Sequence, residues 1–249
     1  MKATFNAAGE VIVITGGANG IGRALALAAS DAGAKVVVCD MDEDAMASLQ
    51  NEDNRIETNR LDVSNRDAVY NCVGAIEMRH GKIDGVVLGA AIQPRIDVHE
   101  TDPDQWVRVM NINLNGVVWC YQAVVKGMIT RRKGAIVTFS SGLAHQGWPQ
   151  ASAYAASKGA LIAFAKSAAK EVAPYRVRFN LISPGVIDTP QYRAANAGAD
   201  HDSWKGSLGV GGPQDVVGPL MFLLSDAATM TAGILSRDFA YPAQDPEEN

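Results

Sequence analysis

Basic charge is not in surplus in this chain: 22 Lys and Arg stand against 27 Asp and Glu, giving a net charge of −5 and a pI near 5.4. With no Lys/Arg run either, the balance excludes a general nucleic-acid binder, because neutralising phosphates needs a basic surface. Cysteine is scarce. Cys39, Cys72 and Cys120 are odd in number, widely separated and set in apolar or helical surroundings, which argues against a disulfide framework and against a metal cluster. They are expected as buried thiols of a reducing compartment, and no metal is expected. No stretch approaches the ~20 apolar residues that cross a bilayer. The opening MKATFNAAGEVIVITGG has neither a signal-peptide apolar region nor a cleavage pattern. A soluble cytoplasmic protein with no membrane partner is the expectation.

What is present is a regular alternation. Apolar, β-rich runs recur at 11–15, 35–40, 55–63, 83–91, 134–141, 176–183 and 233–241. Helical patterns lie between them at 21–33, 41–50, 64–81, 101–132, 152–173 and 212–228. Strands that are apolar almost throughout, alternating with helices, predict an α/β, doubly wound fold with a parallel sheet covered on both faces. With 249 residues, 47% of them hydrophobic, a single domain over 1–249 is the simplest count. Residues 189–212 are weak in apolar periodicity and rich in Gly, Ala and polar residues, which suggests a substrate flap.

Chemistry concentrates at the ends of the predicted strands. After the first comes TGGANGIG, where Gly16, Gly20 and Gly22 sit just before a helix that opens near Ile21. Such a loop lets backbone amides approach a pyrophosphate, although by itself it also suits any tight turn. The second strand ends at Asp40, placed to accept hydrogen bonds from an adenosine ribose. A 2′-phosphate there meets like charge, and neither Asn19 nor Met41 offers a cation, so NAD is favoured over NADP. The plain alternative is that Asp40 or Asp42 caps the next helix. Asp62-Val63 ends the third strand, where the Asp62 carboxylate can reach an adenine amino group or simply face water. Pro184-Gly185, followed by Ile187 and Thr189, ends a later strand at the ligand-binding edge of such sheets.

Tyr154 and Lys158 share one face of an alanine-rich helix, and Ser141 ends the strand before it. An ammonium ~4 Å from a phenol at effective dielectric ~20 is worth roughly 4 kcal/mol, about three pKa units below the usual ~10. Tyr-x-x-x-Lys alone is a common accident of helical surfaces. Asn113 interrupts an apolar helical run and is expected to bend it or to hold a water.

In this order, TGGANGIG, Asp62-Val63, NINLNG, the Ser141 to Tyr154-x-x-x-Lys158 spacing and SPGVIDT resemble the short-chain dehydrogenase/reductase family, its single-domain branch, over about residues 11 to 236. The resemblance implies a Rossmann-type three-layer sandwich with a seven-stranded sheet. It implies a catalytic tetrad of Asn113, Ser141, Tyr154 and Lys158. Tyr154 is then the acid/base, Ser141 positions the substrate oxygen, Lys158 binds the nicotinamide ribose and lowers the phenol pKa, and Asn113 holds a water of a proton relay. Cofactor contacts are expected at Gly16, Asn19, Gly20, Ile21, Gly22, Asp40, Asp62, Val63, Gly89, Ala90, Tyr154, Lys158, Pro184, Gly185, Ile187 and Thr189. A homo-oligomer, tetramer or dimer, is implied as well.

Two departures stand out. Leu88-Gly89-Ala90-Ala91 replaces the family's Asn-Asn-Ala-Gly, and SRDFAY replaces its C-terminal Asp-Gly-Gly. The function expected is an NAD-dependent oxidoreductase that interconverts a secondary alcohol and a ketone. The alternative is a cofactor-binding regulatory protein of the same fold with little turnover. Gln93, Arg95, His145, Trp148, Tyr192, Arg193, His201 and Trp204 are candidates for the pocket, each equally at home on a surface or in packing. If Arg95 and Arg193 both face it, an anionic substrate follows.

Overall fold

The computed structural model describes residues 3–198 and 209–237. Seven strands form one sheet: β1 (Val11–Thr15), β2 (Lys35–Asp40), β3 (Glu57–Arg60), β4 (Gly85–Leu88), β5 (Gly134–Phe139), β6 (Val177–Ser183) and β7 (Ile234–Ser236). Their order is β3-β2-β1-β4-β5-β6-β7 and every pairing is parallel. The expected doubly wound α/β sheet is therefore present.

Successive strand residues point to opposite faces, and this splits the core in two. Val13, Val37, Val86, Leu88, Ile136 and Phe179 face one cluster, whereas Ile12, Ile14, Val36, Val38, Val87 and Val137 face the other. The helices are α1 (Gly20–Asp31), α2 (Glu43–Glu52), α3 (Arg66–His80), α4 (Pro103–Met110), α5 (Gly116–Arg131), α6 (Leu143–Gln146), α7 (Ser152–Val172), α8 (Pro190–Ala195) and α9 (Gln214–Leu224). Helices α3, α5 and α7 cover the first face; α1, α2 and α9 cover the second. Three layers result.

Several elements are shorter than their apolar runs suggest. Only Glu57–Arg60 of 55–63 and Gly85–Leu88 of 83–91 pair as strand, because the remaining residues turn away into loops above the sheet. The helical pattern at 101–132 starts at Pro103, with Asp102 accepting from the Asp104 amide at 2.8 Å, and passes through a π-helical turn at Asn111–Asn115. That turn is a departure from regular α-helix at the place where Asn113 is expected to bend it. From Asp238 onward the last predicted strand lies outside the described residues.

Strand order reverses between β1 and β4, so their loops diverge at the carboxyl edge and open a crevice. The backbones meet closely at its floor. Gly16 has φ +69°, and a Cβ there would lie 2.7 Å from the Ala90 nitrogen. The Leu88-Gly89 departure is absorbed at this point. Leu88 packs in the core at 1% exposure, and its carbonyl accepts from Thr138 Oγ1 at 3.0 Å. The Gly89 amide donates to the Thr15 carbonyl and to Thr15 Oγ1. Of the C-terminal departure at 236–241 only Ser236 and Arg237 lie within the described residues, and there the Arg237 amide donates to the Ser183 carbonyl at 2.8 Å, setting its backbone against Gly185.

A Cβ at Gly89 would lie 2.9 Å from the Thr15 carbonyl and 3.2 Å from the Phe139 ring. Gly89→Ala is expected to destabilise the fold by about 1–3 kcal/mol through overpacking, read as a lower urea midpoint with an unchanged slope.

Candidate active site

A cleft of about 680 Å³ runs along the carboxyl ends of the strands, within the size range of small-molecule sites. Among the residues expected to touch a cofactor, Gly16, Asn19, Gly20, Ile21, Gly22, Asp40, Asp62, Val63, Gly89, Ala90, Tyr154, Lys158, Pro184, Gly185, Ile187 and Thr189 all line it, as does Ser141. Asn113 does not. It is fully buried beneath the cleft wall.

At the β1 end, Gly16 and Gly20 have positive φ, and a Cβ on Gly22 would collide with the Gly16 carbonyl. The loop thus brings bare backbone to the amino end of α1, whose first turn holds no acidic side chain. Asp42, rather than Asp40, caps the following helix by accepting from the Ala45 amide at 3.0 Å. Asp40 instead braces the glycine loop, accepting from the Ala18 amide at 3.0 Å and the Met41 amide at 2.7 Å. Asp62 accepts from the Ser64 amide and hydroxyl. Arg23, the nearest cation to the Ala18 turn, is held by Glu52 at 2.6 Å and by the Ala18 and Ala45 carbonyls.

At the other end stand the groups of α7. Lys158 Nζ lies 5.6 Å from the centre of the Tyr154 ring. Burial acts on both. It pushes the phenol up to about 12, against hydrogen bonding from Ser141 and the charge of Arg95, and it pulls the ammonium down to about 8. The expectation that Lys158 holds the phenol well below its usual value therefore differs from the structure, because loss of water outweighs an amine at this range. Lys158 is 3% exposed and pairs with no carboxylate among the described residues.

The Asn113 side chain is engaged by the loop after β4 and by α7. Its Oδ1 accepts from the Ile92 amide at 2.8 Å, and its Nδ2 donates to the Ile92 carbonyl at 2.9 Å and to Ser157 Oγ at 3.2 Å. Ser157 Oγ in turn donates to the Tyr154 carbonyl at 2.7 Å. One side chain thus ties the loop after β4 to the helix that carries the tyrosine. Sequence reasoning missed Ser157, for which the i to i+3 spacing from Tyr154 was the available signal.

Gln93, Arg95, Trp148 and Tyr192 line the cleft, whereas His145 and Arg193 do not. Arg193 makes a two-pronged ion pair with Asp188 at 2.6 and 2.7 Å. His201 and Trp204 lie outside the described residues. Ser140, also missed, lines the cleft with a buried hydroxyl that has no partner. Cys39 and Cys72, far apart in sequence, have their sulfurs 3.7 Å apart and remain free thiols, and no group of His, Cys, Asp or Glu among the described residues is arranged to hold a metal. No described helix is long and apolar enough to cross a membrane.

Fold and cleft together define a doubly wound protein with a ligand crevice at the switch point of its sheet. The chain matches the model of the family described as short chain dehydrogenase over residues 10–200, and it belongs to that family. It is 34% identical to a 3-oxoacyl-(acyl-carrier-protein) reductase of Thermotoga maritima, over 90% of this chain and 94% of that protein. It is also 34% identical to the cis-4-hydroxycyclohexanecarboxylate dehydrogenase of Sinomonas cyclohexanicum, over 94% and 97%. Among solved structures, that of levodione reductase superposes with a TM-score of 0.87 at 27% identity, over 94% and 97% of the two chains. The protein is thus a short-chain oxidoreductase whose relatives are dehydrogenases and reductases of alcohols and ketones.

A nicotinamide dinucleotide fits two features of the cleft. The glycine cradle admits no side chain, and on the cleft wall Ser140 Oγ is a buried polar atom without a hydrogen-bond partner, beside a buried Lys158 that no carboxylate among the described residues pairs. Keeping Lys158 there costs stability. A fall from 10.5 to about 8 corresponds to about 3 kcal/mol. The unfolded chain binds the extra proton between those values, so the cost is complete below pH 8 and fades as pH rises toward 10.5. Lys158→Met is accordingly expected to be more stable than the wild type at pH 7, by up to about 3 kcal/mol, with the gap closing toward pH 10 in urea titrations.

Proposed function

We propose that the protein is an NAD-dependent dehydrogenase/reductase of secondary alcohols and ketones, formed by one domain with its substrate flap at 189–212, of which 199–208 lie outside the described residues. The observation that carries this reading is the meeting of Ser141, Tyr154 and Lys158 at one end of a cleft whose other end is a glycine cradle beside Asp40. In reduction, the Tyr154 phenol donates its proton to the ketone oxygen, which the Ser141 hydroxyl holds. In oxidation, Tyr154 takes that proton back. A phenol near 12 is protonated at neutral pH and ready to donate. The positive charges of Lys158 and Arg95 favour its ionised form when the direction reverses. In this reading Lys158 would donate to the ribose next to the nicotinamide, and Asn113 ties the tyrosine helix to the loop after β4 through Ser157. NAD, when bound, accepts the hydride of the carbinol carbon or, reduced, returns it.

The reading of NAD over NADP is supported by Asp40 and Asp42 in the cleft lining and by the commitment of Arg23 to Glu52. A cytoplasmic setting agrees with three free thiols, and a homotetramer or dimer agrees with apolar Val98 and Val107 exposed beside and on α4. A cofactor-binding regulator without turnover finds less support, since the Leu88-Gly89 departure that motivates it is braced by Thr15 and Thr138.

NADH absorbance against a panel of ketones is the direct test. Tyr154→Phe is expected to lower kcat/KM by about 10²–10⁴ while NADH fluorescence still reports binding. Undiminished turnover in that variant would remove the acid/base assignment. Asp40→Asn is expected to move the NADPH-to-NADH ratio of kcat/KM upward by at least about tenfold, some 1.4 kcal/mol.

A further inference from the structure

Arg95 is a cation at the reacting end of the cleft that has no counter-ion among the described residues. It lines the cleft together with Tyr154, Trp148, Tyr192 and Asn196. Its Nε donates to the Ala195 carbonyl at 3.2 Å, its Nη2 to Asn196 Oδ1 at 3.0 Å and its Nη1 to the Pro149 carbonyl at 3.5 Å. Each of these acceptors is neutral. No carboxylate among the described residues pairs with Arg95, whereas Arg23, Arg193 and Arg237 each face an Asp or Glu.

A guanidinium carries five N–H donors and keeps its charge in a protein. Three donors are engaged by described residues, and two more have no acceptor among them. The acids that line the cleft, Asp40, Asp42 and Asp62, stand at the far end beside β2 and β3. Among the described residues, the tyrosine end therefore holds Lys158 and Arg95 with no acid to balance them. Its other walls include Phe139, Trp148 and Tyr192, which suit an apolar body.

We propose that Arg95 binds a carboxylate carried by the substrate, so that the protein acts on hydroxy acids or oxo acids rather than on neutral alcohols. The inference rests on the dehydrogenase reading for the reaction, but the anion site stands on the geometry of Arg95. The alcohol or ketone carbon meets Tyr154 and Ser141 while the carboxylate takes the free N–H groups. Because Ala195 and Asn196 end α8, a bound anion also secures that helix over the cleft. Arg193 has no part in this, since Asp188 already occupies its fork.

The test is calorimetric binding of two unreactive probes, benzoate and the neutral benzamide, to the full chain in the presence of NADH. Benzoate is expected to bind at least about tenfold tighter than benzamide, and Arg95→Gln is expected to abolish that preference. Arg95→Lys, which keeps the charge but loses the fork, should retain part of it. Equal affinities in the wild type, or a preference that survives in Arg95→Gln, would overturn the proposal. If Arg95→Gln does not fold, the wild-type comparison and Arg95→Lys decide. A chain that prefers benzoate yet transfers no hydride to any ketone keeps the anion site and loses the dehydrogenase reading; turnover without that preference does the reverse.

Discussion

An amine withdrawn from water, with no carboxylate beside it among the described residues, is the constraint around which the cleft is organised. Lys158 keeps 3% of its surface exposed, and burial alone brings it to about 8. A folded chain tolerates such a group only where the packing around it is strong enough to offset the lost hydration. Here α7 supplies that packing, setting Leu161, Ala165, Ala168 and Ala169 into the core. The helix is alanine-rich because it must lie close to the sheet. Its tight seat fixes the direction of Tyr154 and Lys158 together.

The same seat depends on a side chain remote from any ligand. Asn113 reaches Ile92 on one side and Ser157 on the other, and Ser157 closes the chain at the Tyr154 carbonyl. The π-helical turn at Asn111–Asn115 lies at this junction, where an α-helix places a residue that must reach two partners at once. The loop after β4, which meets the glycine loop at Gly16 and Ala90, and the helix that bears the phenol are thereby held as one unit. Asp40 does the corresponding work at the other end, where its grip on the Ala18 amide shapes the cradle.

Charge is unevenly spread along the cleft, whose lining also includes Arg108 of α4. Asp40, Asp42 and Asp62 gather where β2 and β3 stop, and Lys158 and Arg95 gather above β5 and α7. In a water-poor crevice this polarity orients a ligand before any contact is made. Burial drives the phenol and the amine toward their neutral forms, so the proton chemistry proposed for Tyr154 depends on which charges stand beside it.

The strands, the glycine loop and the tyrosine–lysine pair were legible in the sequence because each is encoded over a few neighbouring residues. Alternation sets a strand, glycine alone tolerates the φ of the loop, and four residues make a helical turn. Asp40 as an acid ending β2 was legible for the same reason, but its bond to Ala18 was not. The partners of Asn113, the 3.7 Å approach of Cys39 and Cys72 and the upward shift of the phenol join residues tens of positions apart, or arise from the depth of burial. Arg95 and Arg193 looked alike as sequence. One opens onto the cleft and the other closes on Asp188. What the chain determined by itself was which local geometries its residues can adopt; which charges lose their water, and which find a counter-ion, was decided only when the sheet brought distant loops to one edge.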